Sequence, residues 1–175
     1  MTQFMLKATT GAMLLVCAGA ASAGSATANL SVTATVSANC TIATAPVAFG
    51  TAYDTVAGTA VNATGSVSIA CTKGAAPSVT LGLGANATGS TRRMSDGGTN
   101  FLAYELYQQP STTVPGTACS YTAPTVWGTS GANVFTPSVS PGKASRSYNV
   151  CGQIPGAQDV AAAVYSDLVV ATINF

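Results

Sequence analysis

Residues 30–38 read LSVTATVSA, and in this stretch apolar side chains alternate with serine and threonine. The apolar positions are Leu30, Val32, Ala34, Val36 and Ala38. A period of two held over this length predicts a β-strand with one apolar and one polar face. Residues 25–37 contain no charge, proline or glycine that would protect an exposed strand edge. The stretch therefore predicts a strand that pairs readily with another chain.

The same alternation recurs along the chain and predicts an all-β fold. Further strands are expected at 67–71, 79–83, 102–106 and 169–175, with turn-forming residues such as Ser95-Asp96-Gly97-Gly98 and Pro141-Gly142 between them. The only helix candidate is the alanine-rich run 160–164, and the proline and glycine at 155–156 favour a loop there instead. Several short strands separated by turns predict an antiparallel β-sandwich.

The first 23 residues have the pattern of a secretory signal peptide. Lys7 supplies the positive charge, residues 12–21 an apolar region, and Ala21-Ser22-Ala23 a cleavage site. The apolar run is too short to cross a bilayer, which takes roughly 20 residues. We therefore expect export without stable membrane insertion, and one domain formed by the 152 residues that remain.

Composition excludes several function classes. Of the 175 residues 47% are hydrophobic, only 6% are charged, and none is histidine. Without histidine there is no Ser-His-Asp or Cys-His nucleophile system and no histidine metal ligand. Residues 24–175 carry five basic and five acidic side chains, so they show no electrostatic signature of nucleic-acid binding. We expect no enzyme activity, no catalytic residue, no cofactor and no metal.

Four cysteines remain after removal of the signal peptide: Cys40, Cys71, Cys119 and Cys151. An even number in an exported chain predicts two disulfides, and three connectivities are possible. A zinc site is disfavoured because no two of these cysteines have the close spacing of metal ligands.

The two ends of the predicted sandwich are complementary. The alternating N-terminal segment is a long uncharged β-segment that is open to pairing with another strand. The last strand, 169–175, carries no charged or proline residue that would protect its edge from such pairing. If the sandwich lacks one strand, the N-terminal segment of a neighbouring copy could insert beside the last strand. Such a head-to-tail contact propagates into a fibre.

The chain resembles the archaic chaperone–usher pilins, the group also named for the spore coat protein U domain. The resemblance covers the mature chain and rests on the order and spacing of several short motifs. They are Asn39-Cys40-Thr41, residues 47–54 (VAFGTAYD), residues 65–72 (GSVSIACT), Arg93-Met94, residues 102–107 (LAYELY), residues 125–128 (TVWG), and residues 152–160 (GQIPGAQDV) followed by Tyr165-Ser166-Asp167.

This resemblance implies an incomplete immunoglobulin-like β-sandwich that is completed by donor-strand exchange. A periplasmic chaperone fills the gap first, and an outer-membrane usher replaces it with the N-terminal segment of the next identical or related subunit. Residues 24–37 would be the donor extension and 38–175 the pilin domain. The inserted side chains would be Leu30, Val32, Ala34 and Val36. The acceptor groove would be bordered by the strand near Cys40 and by the last strand, with Val169, Ala171, Ile173 and Phe175.

The implied function is a structural subunit of cell-surface fimbriae that support adhesion and biofilm formation. Two alternatives stay open. One is a tip adhesin that acts as a binding module, and the other is a self-complemented secreted or spore-coat protein whose own N-terminal segment fills its groove.

The resemblance also favours one disulfide pairing. Cys40–Cys71 resembles the pair found in the family. Cys151 stands where the family usually has an aromatic residue, and residues 108–125, which contain Cys119, form a longer segment than usual, so an added Cys119–Cys151 disulfide is the economical interpretation. Trp127 and Tyr107 are expected in the core rather than in a sugar-binding surface. Arg92 and Arg93 are expected on a solvated hairpin flank.

Overall fold

A computed structural model describes residues 23–50 and 53–175. The strands are β1 (Cys40–Ala45), β2 (Val61–Cys71), β3 (Ser78–Leu81), β4 (Arg92–Ser95), β5 (Phe101–Gln108), β6 (Arg146–Ile154) and β7 (Ala171–Asn174). A single 3-10 turn, Gly131–Asn133, is the one helical element in these ranges. The predicted signal peptide falls on residues outside the described ranges, apart from Ala23. The chain divides after Thr35 into two units.

The N-terminal unit, described from residue 23 to 35, contains no strand, and this differs from the strand expected at 30–38. Leu30 and Val32 are 88% and 84% exposed. Val36, the first residue of the second unit, is 82% exposed. The alternating pattern marks the side-chain faces of a strand, but a strand forms only where another strand satisfies its backbone hydrogen bonds.

The second unit contains a five-stranded antiparallel sheet in the order β1-β2-β6-β5-β4. Its core face is lined by alternate residues of the central strands, among them Val67 of β2, Leu102 of β5, and Tyr148 and Val150 of β6. The sequence pattern did not predict β4 or β6. In β6 the inward positions include Gly152, which interrupts the apolar alternation although it faces the core.

The smaller sheet pairs β3 with β7 and covers part of that face. The other edge of β3 is occupied, because Val79 and Phe135 exchange backbone hydrogen bonds of 2.8 and 3.0 Å. Trp127 is fully buried between the layers and donates its indole N–H to the Val79 carbonyl at 2.9 Å. The expected all-β antiparallel sandwich is confirmed, with Trp127 in its core. Tyr107, also expected in the core, is instead half-buried and packs edge-on against Tyr121.

The structure contains two disulfides, Cys40–Cys71 and Cys119–Cys151. The first joins residues that face each other in the β1–β2 ladder. The second attaches the long connection between β5 and β6 to the outer face of β6. On the same face, Tyr121 donates its hydroxyl to the Gly152 carbonyl at 3.2 Å.

Arg92 is buried, and the expectation of a solvated position for it was wrong. Its side chain is 0% exposed, forms an ion pair with Glu105, and donates to the carbonyls of Leu81 (3.2 Å) and Trp127 (2.6 Å). A buried guanidinium requires this full set of partners, because an unpaired buried charge costs several kcal/mol. Periodicity could not show it, since an inward arginine at the sheet edge looks like a surface residue in sequence.

Candidate functional site

An open apolar groove crosses the core face of the second unit. It comprises two adjoining depressions of about 430 and 660 Å³, which share Val47, Phe49, Met94 and Tyr165 in their linings. Core side chains from both sheets form its floor: Val67, Leu81, Leu102, Tyr104, Leu106, Val150 and Ile154. The core is therefore left uncovered along a strip between two chain segments.

The first rim is the segment that follows β1. After Ala45 the chain leaves the edge of β2, and Val47 and Phe49 cross the sheet above two glycines. A Cβ atom at Gly65 would lie 2.7 Å from the Ala45 carbonyl oxygen and 2.8 Å from Val47 Cγ2, and one at Gly152 would overlap Val47. Glycine is required at both positions because the rim lies directly on the backbone of β2 and β6.

The second rim is β7 and the residues before it. Gly82 and Ala85 donate to the carbonyls of Val170 and Leu168 at 2.9 and 3.1 Å, so the even-numbered residues of this segment bond toward β3. The backbone groups of Val169 and Ala171 consequently point the opposite way, toward the groove. In the described residues β7 pairs with β3 alone, and this second edge remains open.

The first rim is also an open edge. No backbone hydrogen bond joins residues 46–49 to another residue within 23–50 or 53–175. Two segments with free backbone groups thus flank an apolar floor, and this is the arrangement that an added strand would complete.

The charged groups beside the groove are already bonded. The Asp167 carboxylate accepts from the backbone N–H groups of Ala85 (2.9 Å) and Asn86 (3.1 Å), and from the Tyr104 hydroxyl (2.7 Å). Burial, together with the hydrogen bond to Asp167, raises the pKa of Tyr104 well above its usual value. Because these groups satisfy one another, this part of the groove presents an apolar surface to an entering segment.

The four residues expected at the acceptor site differ from one another in their position relative to the groove. Val169 and Ala171 line the groove. Ile173 is half-buried and packs against the core, and Phe175 is 55% exposed. Leu30, Val32 and Ala34, expected as donor residues, lie in the N-terminal unit, and Val36 begins the second unit.

Several residues that shape the site were not assigned a functional role from the sequence. Gln158 continues the sheet beyond β6, because its amide side chain receives a hydrogen bond from the Ala103 N–H (2.8 Å) and donates to the Ala103 carbonyl (3.0 Å). The hydroxyl of Tyr53 accepts from the Gln158 backbone N–H at 2.9 Å. These contacts connect two motifs of the resemblance, VAFGTAYD and GQIPGAQDV. The two motifs were the only sequence signal that pointed to Tyr53 and Gln158.

Comparisons with known proteins agree with this geometry. A model of the Spore Coat Protein U domain matches residues 26–172. The chain belongs to this family. It is 36% identical over 185 residues to Protein U of Myxococcus xanthus, with 96% of this chain and 95% of that protein covered. The resemblance to the spore coat protein U domain group is thereby confirmed.

A solved structure has a similar fold. It is the chaperone–tip adhesion subunit pre-assembly complex of the archaic chaperone–usher Csu pili of Acinetobacter baumannii. The TM-score is 0.54 at 22% identity, with 81% of this chain covered. The chain spans 41% of the length of the chain it matches.

In residues 23–50 and 53–175, no helix has the length and apolar character needed to cross a membrane.

Proposed function

We propose that this protein is a pilus subunit that polymerises by donor-strand exchange. The observation that carries the proposal is the apolar groove between two open backbone edges, in a chain that also carries an exposed, uncharged, alternating segment. The segment of residues 25–36 would enter the groove of a neighbouring copy, where its backbone would bond to one or both rims.

The dimensions of segment and groove agree. The linings of the two depressions together follow the first rim from Thr44 to Gly50, six strand rises or about 20 Å. Leu30, Val32, Ala34 and Val36 occupy alternate positions, and the distance from the first to the fourth is also about 20 Å in an extended strand. All four side chains can therefore face the floor at once.

Burial of these side chains would stabilise the contact substantially. The three larger ones, Leu30, Val32 and Val36, each contribute about 1.5–3 kcal/mol when fully buried. Each backbone hydrogen bond adds about 0.5–1.5 kcal/mol net. A charged side chain at one of these positions would be buried without a partner, and this accounts for the absence of charge from residues 25–37.

The partners follow from the same proposal. The similar fold was solved in complex with a chaperone, and an open groove exposes core side chains that require cover before assembly. We infer that a periplasmic chaperone covers the groove, that an outer-membrane usher mediates exchange, and that the assembled fimbria lies on the cell surface and supports adhesion and biofilm formation.

Deletion of residues 25–36 tests the proposal directly. The truncated chain should fold and bind a synthetic peptide of residues 25–36, because its groove is intact, but it should form no fibres. Size-exclusion chromatography and electron microscopy of the full and truncated chains provide the readout. A peptide with Val32→Asp is the matched control, and we expect it to bind at least 100-fold more weakly.

Two outcomes would contradict the proposal. Fibres formed by the truncated chain would show that residues 25–36 are not the connecting element. A full-length chain that remains monomeric, and in which the segment occupies its own groove, would instead support the self-complemented alternative.

A further inference from the structure

Three basic side chains gather at one end of the second unit. Lys73 lies in the turn after β2, Lys143 lies in the turn before β6, and Arg146 is the first residue of β6. The two turns meet, because the Gly74 N–H donates to the Ser140 carbonyl at 2.9 Å. We call Lys73, Lys143 and Arg146 the basic pole.

Three acidic side chains gather at the opposite end, where β2 begins and β6 ends. Asp96 opens the turn between β4 and β5, and Asp54 and Asp159 lie in two neighbouring loops. Those loops are joined by the 2.9 Å hydrogen bond between Tyr53 and Gln158. We call Asp54, Asp96 and Asp159 the acidic pole.

The other four charged side chains of residues 24–175 cancel locally. Arg92 pairs with Glu105. Arg93 Nε donates to the Asn86 carbonyl at 3.1 Å, and the Asn86 side-chain amide donates to Asp167 Oδ1 at 3.0 Å, so Arg93 and Asp167 share Asn86 as a partner. A chain with no net side-chain charge after residue 23 therefore has three positive charges at one pole and three negative charges at the other.

The donor segment leaves the domain at the basic pole. The Thr72 N–H donates to the Asn39 carbonyl at 2.8 Å, which holds Asn39 next to Lys73. The groove reaches the acidic pole, since Asp54 and residues 160–165 belong to its lining. The segment that this chain would donate and the groove end that would receive a neighbour's segment thus lie at poles of opposite charge.

The direction of insertion decides which poles meet. Strand β7 runs toward the basic pole, because Ser166 bridges Ser95 near the acidic pole and Asn174 pairs with Ser78 at the other end. A segment inserted antiparallel to β7 would have Val36 at the acidic pole of its acceptor. Residues 37–39 span at most about 10 Å, so the basic pole of the donor copy would face that acidic pole. Parallel insertion would bring two basic poles together.

We propose that the basic and acidic poles form a charge-complementary, head-to-tail contact between copies of this chain, a proposal that rests on the donor-strand function above. The pairing favours antiparallel insertion and accelerates the approach of each new subunit. A separation near 10 Å is slightly more than the Debye length of about 8 Å at physiological salt and well below the length of about 30 Å at 10 mM, so the attraction is strong at low salt and is screened as salt rises. Complementary surface charge of this kind acts mainly on association rate and orientation.

The test compares whole-subunit attachment with binding of the isolated segment. The acceptor is the chain lacking residues 25–36, immobilised so that it can only receive a strand. The full chain is the donor, and the uncharged peptide of residues 25–36 is the control. Attachment of the full chain should be roughly 10-fold faster at 10 mM than at 500 mM NaCl, and peptide binding should not change with salt.

Charge reversal supplies the second arm. Lys73→Glu with Lys143→Glu in the donor changes the basic pole from three positive charges to a net charge of −1. This donor should attach roughly 10-fold more slowly than the wild type at 10 mM NaCl, and its rate should rise rather than fall with added salt. Lys73→Arg with Lys143→Arg is the matched control and should behave as the wild type. An Asp159→Lys acceptor should partly restore attachment of the reversed donor.

The outcomes separate the two proposals. If the peptide binds but the full chain attaches equally fast at all salt concentrations, or the reversed donor matches the wild type, the pole contact is refuted and strand donation stands. If the peptide does not bind, strand donation and the pole contact are both refuted.

Discussion

Substitution of Gly152 by alanine tests whether the first rim of the groove rests on the sheet. A Cβ at this position would overlap Val47 and lie 2.9 Å from Phe49 Cζ. Gly152 is buried on β6, so neither the sheet nor the rim can move at low cost. Overpacking of this kind destabilises a fold by about 1–3 kcal/mol.

A second effect has the opposite sign. Replacement of glycine by alanine restricts the unfolded chain and stabilises the fold by about 0.4–1 kcal/mol where the site has room. Gly142 is such a site, because no atom lies within 4 Å of a Cβ built there. Gly142→Ala is therefore the matched control, and we expect Gly152→Ala to be less stable than it by about 1–3 kcal/mol.

Urea unfolding of the oxidised proteins measures the difference, and binding of the peptide of residues 25–36 measures the effect on the groove. Displacement of Val47 and Phe49 should weaken the peptide about 10-fold if it removes about 1.4 kcal/mol of contact. Gly142→Ala should bind the peptide normally.

A double-mutant cycle identifies the cause. Val47→Ala removes two methyl groups, which costs at most about 1.6 kcal/mol by area alone because Val47 is half-buried. Combined with Gly152→Ala it also removes the overlap with Val47, although not the 2.9 Å approach to Phe49 Cζ, so the double variant should lose less stability than the sum of the two single losses, by about 1–2 kcal/mol. Equal stability of Gly152→Ala and Gly142→Ala, or strict additivity in the cycle, would refute the account of the rim.

Two further predictions concern the outer face and the core. The paired change Cys119→Ser with Cys151→Ser opens a loop whose ends are 32 residues apart and should lower the free energy of unfolding by about 3–4 kcal/mol. Thermolysin should also cleave within residues 109–121 earlier than in the wild type. A loss below about 1 kcal/mol would show that the disulfide does not restrain the unfolded chain. The pKa of Tyr104 is raised by burial, so its contribution is complete below the unfolded pKa near 10 and is lost as pH rises above it, by about 1.4 kcal/mol per pH unit. Tyr104→Phe should reduce that slope in urea unfolding between pH 9 and 11, and an unchanged slope would contradict the assignment.

Local patterns predicted much of the fold. The alternation at 67–71, 79–83, 102–106 and 169–175 falls on β2, β3, β5 and β7, because the side chains of a strand point to two faces in turn. Residues 160–164 form no helix, as the neighbouring proline and glycine indicated. Strand β6 was missed because its inward residues include Gly152, where the absence of a side chain leaves space for Val47 and Phe49.

The rims of the groove were only partly predictable. The alternating last strand indicated an open edge, and Val169 and Ala171 of that strand line the groove. The position of Val47 and Phe49 on Gly65 and Gly152 depends on contacts between residues far apart in the chain. The side-chain pairing of Gln158 with Ala103 depends on such contacts as well.

The sequence by itself determined the all-β class, the resemblance to the pilins, and the exposed alternating segment, because each depends on the order of nearby residues. Only the tertiary structure decided where the groove lies, which edges are open, and that Arg92 is buried. The segregation of charge was likewise invisible in sequence, where Lys73 and Lys143 are 70 residues apart. Antiparallel pairing places the end of β2 beside the start of β6, and it thereby brings the distant basic residues to one pole.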